Sequence, residues 1–265
     1  MRIYIPCTAC LLEAAGTGDA TGMYFRAYPV PFNDSGVYRT RCDRGHAETT
    51  LVTEPAPFEL LAETATQALV DGYFRDAVTS FAAALERFRE FYIRVIAITR
   101  KIDQAHFDQT WKKVAAQSER QYGWYSGLYL AETGSAPPPM SRWYDDTRND
   151  IVHKGRIPTE ADAIRFGQSV FDHLAPILLD LKLRHGESLE QLRHERWSAA
   201  RKNLRAGEDA TSSGTVWVVA WMTEGGKYER TFEDCISHRR VLERRRSELN
   251  RALLAAQLGV PDSAS

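Results

Sequence analysis

The sequence has little cysteine and no long hydrophobic run. Its 265 residues include four cysteines, which is too few for a disulfide scaffold in a chain of this length. The longest apolar runs are broken by histidine, proline or aspartate, as in residues 171–183, and none approaches the roughly 20 residues that span a bilayer. The first apolar run contains Pro6 and lacks the length of a signal peptide. These absences predict a soluble, cytoplasmic protein with no membrane partner.

An excess of charge of one sign is also missing. The chain carries 34 Lys plus Arg against 35 Asp plus Glu, which excludes a histone-like polycation but leaves room for a local basic face. Lysine is scarce, since 27 of the basic residues are arginine. Arginine forks fit phosphate better than lysine point charges do, although a GC-rich coding sequence favours arginine for a different reason. The apolar fraction of 43% is that of an ordinary globular protein.

Several familiar catalytic motifs are absent. The sequence has no Gly-rich phosphate loop, no Gly-x-Ser-x-Gly elbow and no His-Glu-x-x-His pair. Kinase, P-loop, Rossmann and serine-hydrolase functions therefore lose support.

The hydrophobic pattern divides the chain into three parts. Residues 1–57 have short β-prone runs and turn signals, which predict a small β-rich domain. Residues 58–206 have helical periodicity, which predicts an antiparallel bundle. Residues 207–265 predict a polar linker, a β-hairpin with strands at 215–222 and 227–232, and a basic helix over about 233–258. The fold class is mainly α. The bundle helices are predicted at 58–71, 73–99, 103–129, 141–153, 159–185 and 187–205. Gly155 is the expected residue after the end of the fourth helix, and Thr159 is the expected N-cap of the fifth.

Four potential metal ligands stand in the first part. Cys7 and Cys10 form a Cys-x2-Cys pair, and Cys42 and His46 form a Cys-x3-His pair with a glycine at the turn. Such a set suits tetrahedral Zn²⁺ in a structural, zinc-ribbon-like site, because four protein ligands leave no position for water. The alternative is a group of buried thiols with an unrelated histidine.

A second candidate site is the segment Arg148-Asn149-Asp150-Ile151-Val152-His153-Lys154-Gly155 at a predicted helix end. An arginine fork can hold a phosphate, an imidazole can move a proton at neutral pH, and an amide can orient the imidazole or the ribose. Together they suit RNA transesterification, in which the ribose 2′-hydroxyl attacks the adjacent phosphate. The alternative is a surface Arg–Asp pair with a capping histidine at a helix C-terminus.

This segment resembles the Arg-x4–6-His motif of the HEPN superfamily. The preceding runs 58–61, 68–77 and 83–88 also resemble the leading helix pair of that family, and the resemblance covers about residues 58–185. It implies an up-and-down helical bundle and a metal-independent endoribonuclease of antiviral defence or a toxin–antitoxin pair. It also implies a homodimer with a composite active site, and a possible antitoxin or defence-system partner. Arg148, Asn149 and His153 are then the expected catalytic residues, with Lys154 as support.

Glu86 and Glu90 lie one helical turn apart in the predicted second helix. Paired carboxylates could act as acid and base, or they could form ion pairs with the arginines nearby in the helix. A third possibility is that Glu86 faces the bundle and orients Arg148.

Basic residues crowd the last helices. A candidate surface for binding a nucleic-acid backbone, with one aromatic ring for stacking, comprises Arg193, Arg196, Trp197, Arg201, Lys202 and Arg205. Such runs can also be ordinary solvated faces. The alternative to an enzyme is therefore a nucleic-acid-binding or adaptor protein with a structural zinc site and no catalytic activity.

Overall fold

The computed structural model describes residues 2–16, 27–42, 44–52, 56–212, 231–237, 239–241, 243–244 and 247. Helices dominate these residues, which confirms the mainly α class. The chain divides into two compact units. The head unit comprises the described residues of 1–53, 197–218 and 236–265, and the helical unit comprises those of 54–196 and 219–235.

The described residues of the head unit include five short strands and one complete helix. Strands β1 (Arg2–Pro6) and β2 (Ala27–Pro31) pair antiparallel, with Ile3 opposite Val30. Strands β3 (Val37–Arg41) and β4 (Ala47–Leu51) form a second antiparallel pair, and β5 (Thr211–Ser212) pairs parallel with β4. Helix α1 (Thr8–Gly16) follows β1 directly.

This unit differs from its sequence prediction in two ways. Helix α1 was not predicted, so the first cysteine pair stands at the start of a helix. In addition, the region predicted as a polar linker after residue 206 supplies β5, and residues 197–212 belong to the head unit rather than to the bundle.

Two small apolar clusters hold the head unit together. Ile3, Ile5, Tyr38 and Val52 form one of them. The other joins Val37 and Leu51 to Ala200, with Trp197 and Leu204 packed against them. The second cluster shows why the chain after residue 196 is part of this unit, since its apolar side chains cover one face of the β3–β4 pair.

The helical unit is built from α2 (Pro57–Val70), α3 (Phe74–Thr99), α4 (Gln104–Trp111), α5 (Ser118–Thr133), α6 (Arg142–Val152) and the part of α7 (Glu160–Arg201) that precedes residue 197. The helix predicted over 103–129 is in fact two helices separated by turns at 112–116. Helix α7 leaves helical geometry at His185 (φ −129°, ψ 31°), close to the predicted boundary between two helices. Pro176 lies inside the helix.

Aromatic packing fixes α2 against α3. The ring of Phe58 meets that of Phe88 edge-on at 5.3 Å and lies 5.0 Å from that of Phe91. Edge-to-face pairs of this kind add about 0.5–1.5 kcal/mol to the burial of their surface. One face of the long α3 is thereby held toward the core. Glu86 and Arg89, on the same helix, line a cleft that is described below.

The connection between α6 and α7 agrees with the sequence prediction. Gly155 has φ 75°, the left-handed conformation that favours glycine after a helix end. Thr159 Oγ1 accepts a hydrogen bond from the Asp162 amide at 3.1 Å, and the Asp162 carboxylate accepts one from the Thr159 amide at 3.2 Å. These reciprocal bonds cap the N-terminus of α7, and the left-handed Gly155 follows the end of α6.

Residues 232–237 are helical and belong, up to residue 235, to the helical unit. Phe232 was predicted to end a strand, but its ring packs in the core against Phe81 (5.5 Å) and Phe171 (5.9 Å). The rest of the predicted hairpin, 215–230, lies outside the described residues, as does most of the predicted last helix beyond 244. Within the described part of the chain, no helix has the length and apolarity to cross a membrane.

Candidate functional site

The four predicted metal ligands come together in the head unit. Their ligand atoms, from Cys7, Cys10, Cys42 and His46, all lie within 4.8 Å of one another. Cys10 Sγ lies 3.9 Å from Cys42 Sγ and 3.4 Å from His46 Nδ1, and Cys7 Sγ lies 3.7 Å from the same nitrogen. Tetrahedral zinc with Zn–S bonds of about 2.3 Å requires S···S separations of about 3.8 Å. The cluster is therefore compatible with a structural metal site.

A carboxylate that the sequence analysis missed organises this cluster. Glu48, on β4, accepts hydrogen bonds of 2.8 Å from the amides of Thr8 and Ala9, the first residues of α1. Its Oε1 also lies 3.3 Å from Cys7 Sγ. Despite partial burial, these amide bonds lower the pKa of Glu48. A carboxylate at a helix N-terminus stabilises the helix, so Glu48 holds the turn that carries both cysteines.

The thiols of the cluster differ in acidity. Burial raises the pKa of Cys7 to about 12. Burial acts in the same direction on Cys42, but backbone hydrogen bonds at His46 and Arg44 outweigh it and lower the pKa of this thiol to about 7. The other ring nitrogen of the histidine, Nε2 of His46, lies 3.8 Å from Glu13. A carboxylate in this position orients a ligating imidazole.

A cleft of about 340 Å³ opens in the helical unit. Its described walls include Glu86 and Arg89 from α3, Tyr122 from α5, and Arg148 from α6. The pair Pro138–Pro139 forms part of the rim. A cavity of this size lies in the usual range for small-ligand sites. We refer to it as the Arg148 cleft.

Glu86 orients Arg148. Its Oε1 accepts a 2.8 Å hydrogen bond from Arg148 Nη2, and both side chains are about one quarter exposed. Glu90, one turn further along α3, instead pairs with Arg87 at 2.6 Å and Arg94 at 3.1 Å. Glu90 therefore forms ion pairs within its own helix, as one alternative predicted. Glu86 instead faces Arg148 and orients it, as the third possibility predicted.

The other residues of the motif lie elsewhere. Asn149 and His153 are exposed and are not among the described residues that line the Arg148 cleft. His153 is the C-cap residue of α6. Lys154 is exposed and pairs with Asp150 at 2.9 Å, which raises the pKa of the lysine and lowers that of the aspartate. A single chain therefore places only the arginine of the motif in the cleft.

The cleft also contains a histidine that the sequence analysis did not select. His173 lies on α7, on the same helical face as the buried Val170, Leu174 and Ile177. Burial, and to a lesser extent the charge of Arg89, lower its pKa to about 4, so the imidazole is neutral at pH 7. The only sequence signal was a histidine within an apolar helical stripe, which is usually a core residue.

The predicted basic surface is not a uniform patch. In the helical unit, Arg193 pairs with Glu190, and Arg196 turns inward over the ring of Phe91 at 5.9 Å, so it does not belong to an exposed surface. Burial lowers the pKa of Arg196. In the head unit, Trp197 is half-buried with Arg201 stacked 4.6 Å from its ring, while Lys202 and Arg205 are exposed. Helix α7 ends at Arg201, four residues earlier than predicted.

Comparison with known proteins gives no relative from which a function could be transferred. No family model, no curated protein and no solved structure matches the chain.

Proposed function

We propose that this protein is an endoribonuclease that acts in the Arg148 cleft and needs no metal for the chemical step. The observation that supports the proposal is the position of Arg148, whose guanidinium is oriented by Glu86 on the wall of a ligand-sized cavity. Among the described residues it gives a single hydrogen bond to Glu86 and has further N–H groups for a ligand.

The reaction is transesterification of RNA. The ribose 2′-oxygen attacks the adjacent phosphorus, and negative charge develops on the phosphorane oxygens. A pre-oriented guanidinium stabilises that charge with hydrogen bonds it has already been positioned to make. The bond to the 5′-oxygen breaks, which gives a 2′,3′-cyclic phosphate and a 5′-hydroxyl.

The remaining parts of the proposal come from the HEPN resemblance. Asn149 and His153 complete the motif, and because both are exposed at the end of α6, a homodimer would supply the second surface around the RNA. Antiviral defence or toxin activity is the corresponding biological role, with an antitoxin or defence-system partner as its regulator.

The experiment is cleavage of total cellular RNA in a buffer without magnesium and with EDTA, followed by sequencing of the cut ends. The variants are Arg148→Ala and Arg148→Lys. The matched control is Arg142→Ala, a nearly fully exposed arginine six residues earlier on the same helix. We expect cyclic-phosphate ends with the wild type and the control, and a loss of at least 100-fold with both Arg148 variants, since lysine keeps the charge but not the fork.

Circular dichroism of each variant separates loss of activity from loss of fold. Equal cleavage by the wild type and Arg148→Ala would overturn the proposal. Tight, salt-dependent binding of RNA without cut ends would instead favour the nucleic-acid-binding protein.

We further propose that the head unit binds Zn²⁺ through Cys7, Cys10, Cys42 and His46. The S···S and S···N separations of 3.4 to 3.9 Å support this ion, and three cysteines with one histidine are a usual ligand set for structural zinc. The ion would hold α1 against the turn between β3 and β4.

A further inference from the structure

His173 is the unassigned polar group in the Arg148 cleft. Within the described part of the chain its ring has no hydrogen-bond partner, although burial normally forces such a ring to find one. A neutral imidazole that reaches a cavity can accept a proton from a bound ligand, whereas a core histidine usually makes hydrogen bonds to the protein.

A second arginine stands beside it. The guanidinium of Arg89 lies 4.6 Å from the ring centroid of Tyr122, and its Nε is buried without a hydrogen-bond partner in the described residues. A buried N–H without a partner is unfavourable, so the cleft has a donor that an anionic ligand would satisfy. Glu86 pairs with Arg148, whereas Arg89 has no ion-pair partner among the described residues.

The structure therefore provides the chemical groups that a phosphodiester with a 2′-hydroxyl requires. Two guanidinium groups line the cleft for the phosphate, and the exposed ring of Tyr122 provides aromatic surface for a base. Arg89 on α3, Arg148 on α6 and His173 on α7 all line this cleft of the helical unit, whereas His153 does not.

We propose that His173 is the proton acceptor of the reaction in the Arg148 cleft, and that Arg89 binds the scissile phosphate together with Arg148. This inference rests on the proposed function and assigns its residues. The 2′-oxygen gives its proton to a ring nitrogen of His173 as it bonds to phosphorus. The P–O5′ bond breaks, the leaving 5′-oxygen takes a proton from water in the open cleft, and His173 then releases its own proton to solvent.

The charged and titratable groups that share the cleft with His173 come from three helices. They are Glu86 and Arg89 from α3, Glu119 and Tyr122 from α5, and Tyr144, Asp145 and Arg148 from α6. Glu119 and Asp145 are exposed, and burial raises the pKa of Tyr144, which keeps its phenol protonated. A phosphodiester bound between the arginines would add a negative charge close to the imidazole and so favour its protonated form.

The first test compares cleavage by His173→Gln with that by wild type, using the RNA substrate identified above. Glutamine keeps the size and polarity of the side chain but cannot carry the proton. We expect a loss of 10²- to 10⁴-fold in kcat/KM, and loss of the rising limb of the pH–rate profile. The matched control is His106→Gln, an exposed histidine on α4, which should cleave like the wild type.

The outcomes separate the two proposals. If the wild type and His173→Gln both cleave RNA and His153→Gln does not, the assignment of His173 is overturned. The proposal of an endoribonuclease would still stand. Absence of cleavage by the wild type would overturn both.

A second measurement uses the wild-type protein, so its result does not depend on whether a variant folds. The dinucleotide d(UpA) lacks the 2′-hydroxyl and cannot be cleaved, and its phosphodiester does not titrate near pH 5.5. Calorimetric titration of the wild type in buffers of different ionisation enthalpy should show net proton uptake on binding at that pH. Binding without proton uptake, or no binding, would overturn the assignment of His173.

Discussion

At the scale of single residues, two carboxylates with the same sequence signal have different structural roles. Glu86 and Glu90 are one turn apart on α3, yet Glu86 reaches across to Arg148 on α6 while Glu90 pairs within its own helix. Spacing placed both on one side of a helix, but it could not show which of them meets a neighbouring helix. Sequence reasoning therefore left both roles open, and packing decides between them.

The clearest stability prediction for a single residue concerns Gly167 on α7. A Cβ there would lie 2.4 Å from Cζ of Phe232 and 2.8 Å from Cε2 of Phe81, distances at which one ring must move. We expect Gly167→Ala to lower the free energy of unfolding by about 1–3 kcal/mol, despite the better helix propensity of alanine.

The control for Gly167 is another helical glycine, Gly127 on α5, where a Cβ would meet nothing within 4 Å. Gly127→Ala should raise the free energy of unfolding by about 0.5–1 kcal/mol. Urea titrations followed by circular dichroism at 222 nm measure both changes. A Gly167→Ala variant as stable as Gly127→Ala would show that Phe232 does not pack in this site.

At the scale of elements, α7 bends at His185, where the backbone leaves helical geometry. At the bend, His185 Nδ1 lies 3.2 Å from Thr99 Oγ1, which lies 2.8 Å from Ser188 Oγ, while His185 Nε2 faces Glu132 at 3.9 Å. Burial lowers the pKa of His185. The same helix carries His173, whose pKa burial lowers to about 4. Helix α7 thus holds two imidazoles in their neutral form.

This arrangement predicts a loss of stability in weak acid. Both histidines have a lower pKa in the folded protein than in the unfolded chain, so below pH 6.5 the unfolded chain binds protons that the folded protein does not. For His173 this difference extends down to about pH 4. Stability is therefore complete above pH 6.5 and falls below it. From His173 alone, the loss should be on the order of 3 kcal/mol by pH 4.

Urea titrations between pH 7 and pH 5, a range in which most carboxylates stay ionised, measure this slope. His173→Gln should reduce it, and the exposed His106→Gln should leave it unchanged. An identical slope in the wild type and His173→Gln would contradict the neutral, buried state of His173.

Elements were predictable where their signals are local, and not where they depend on distant residues. The Thr159–Asp162 capping pair and the glycine after α6 fixed that boundary from sequence alone. Helix α1 was missed because its amides are capped by Glu48, 40 residues away from Thr8. Strand β5 was missed for a similar reason, since its pairing partner β4 lies more than 150 residues earlier.

The candidate sites follow the same rule. The metal ligands were recognisable because each pair is close in sequence and the residue types are those of a zinc site. In the Arg148 cleft only the arginine had a motif around it. His173 and Arg89 lie on two other helices and are far apart in sequence, so no motif connects them. They line one cavity only because the helices pack together.

At the scale of the whole molecule, the two units differ in what stabilises them. The helical unit has a large apolar core along α2, α3 and α7. The head unit has two small clusters, and the three cysteines of the metal cluster form a third group of buried side chains within it. Small cores of this size usually need a metal or a disulfide, and the three cysteines of the head unit form no disulfide.

Metal removal should therefore unfold one unit and spare the other. In the zinc-loaded protein, hydrogen exchange should be slow in β1 to β4 and in α1. A chelator, or Cys42→Ser, should abolish that protection, because binding of the ion supplies much of the folding free energy of such a unit. Protection in α3 and in α7 before His185 should persist, since these helices belong to the helical unit.

Cys235→Ser is the matched control, because Cys235 is the one cysteine outside the metal cluster and is buried in the helical unit. This variant should still bind one zinc ion per chain and keep the protection of the head unit. Equal exchange in the head unit with and without metal would show that the ion contributes little to its stability. Loss of protection in both units on chelation would mean that they unfold together, and the RNA assay in EDTA would then have to be repeated without the chelator.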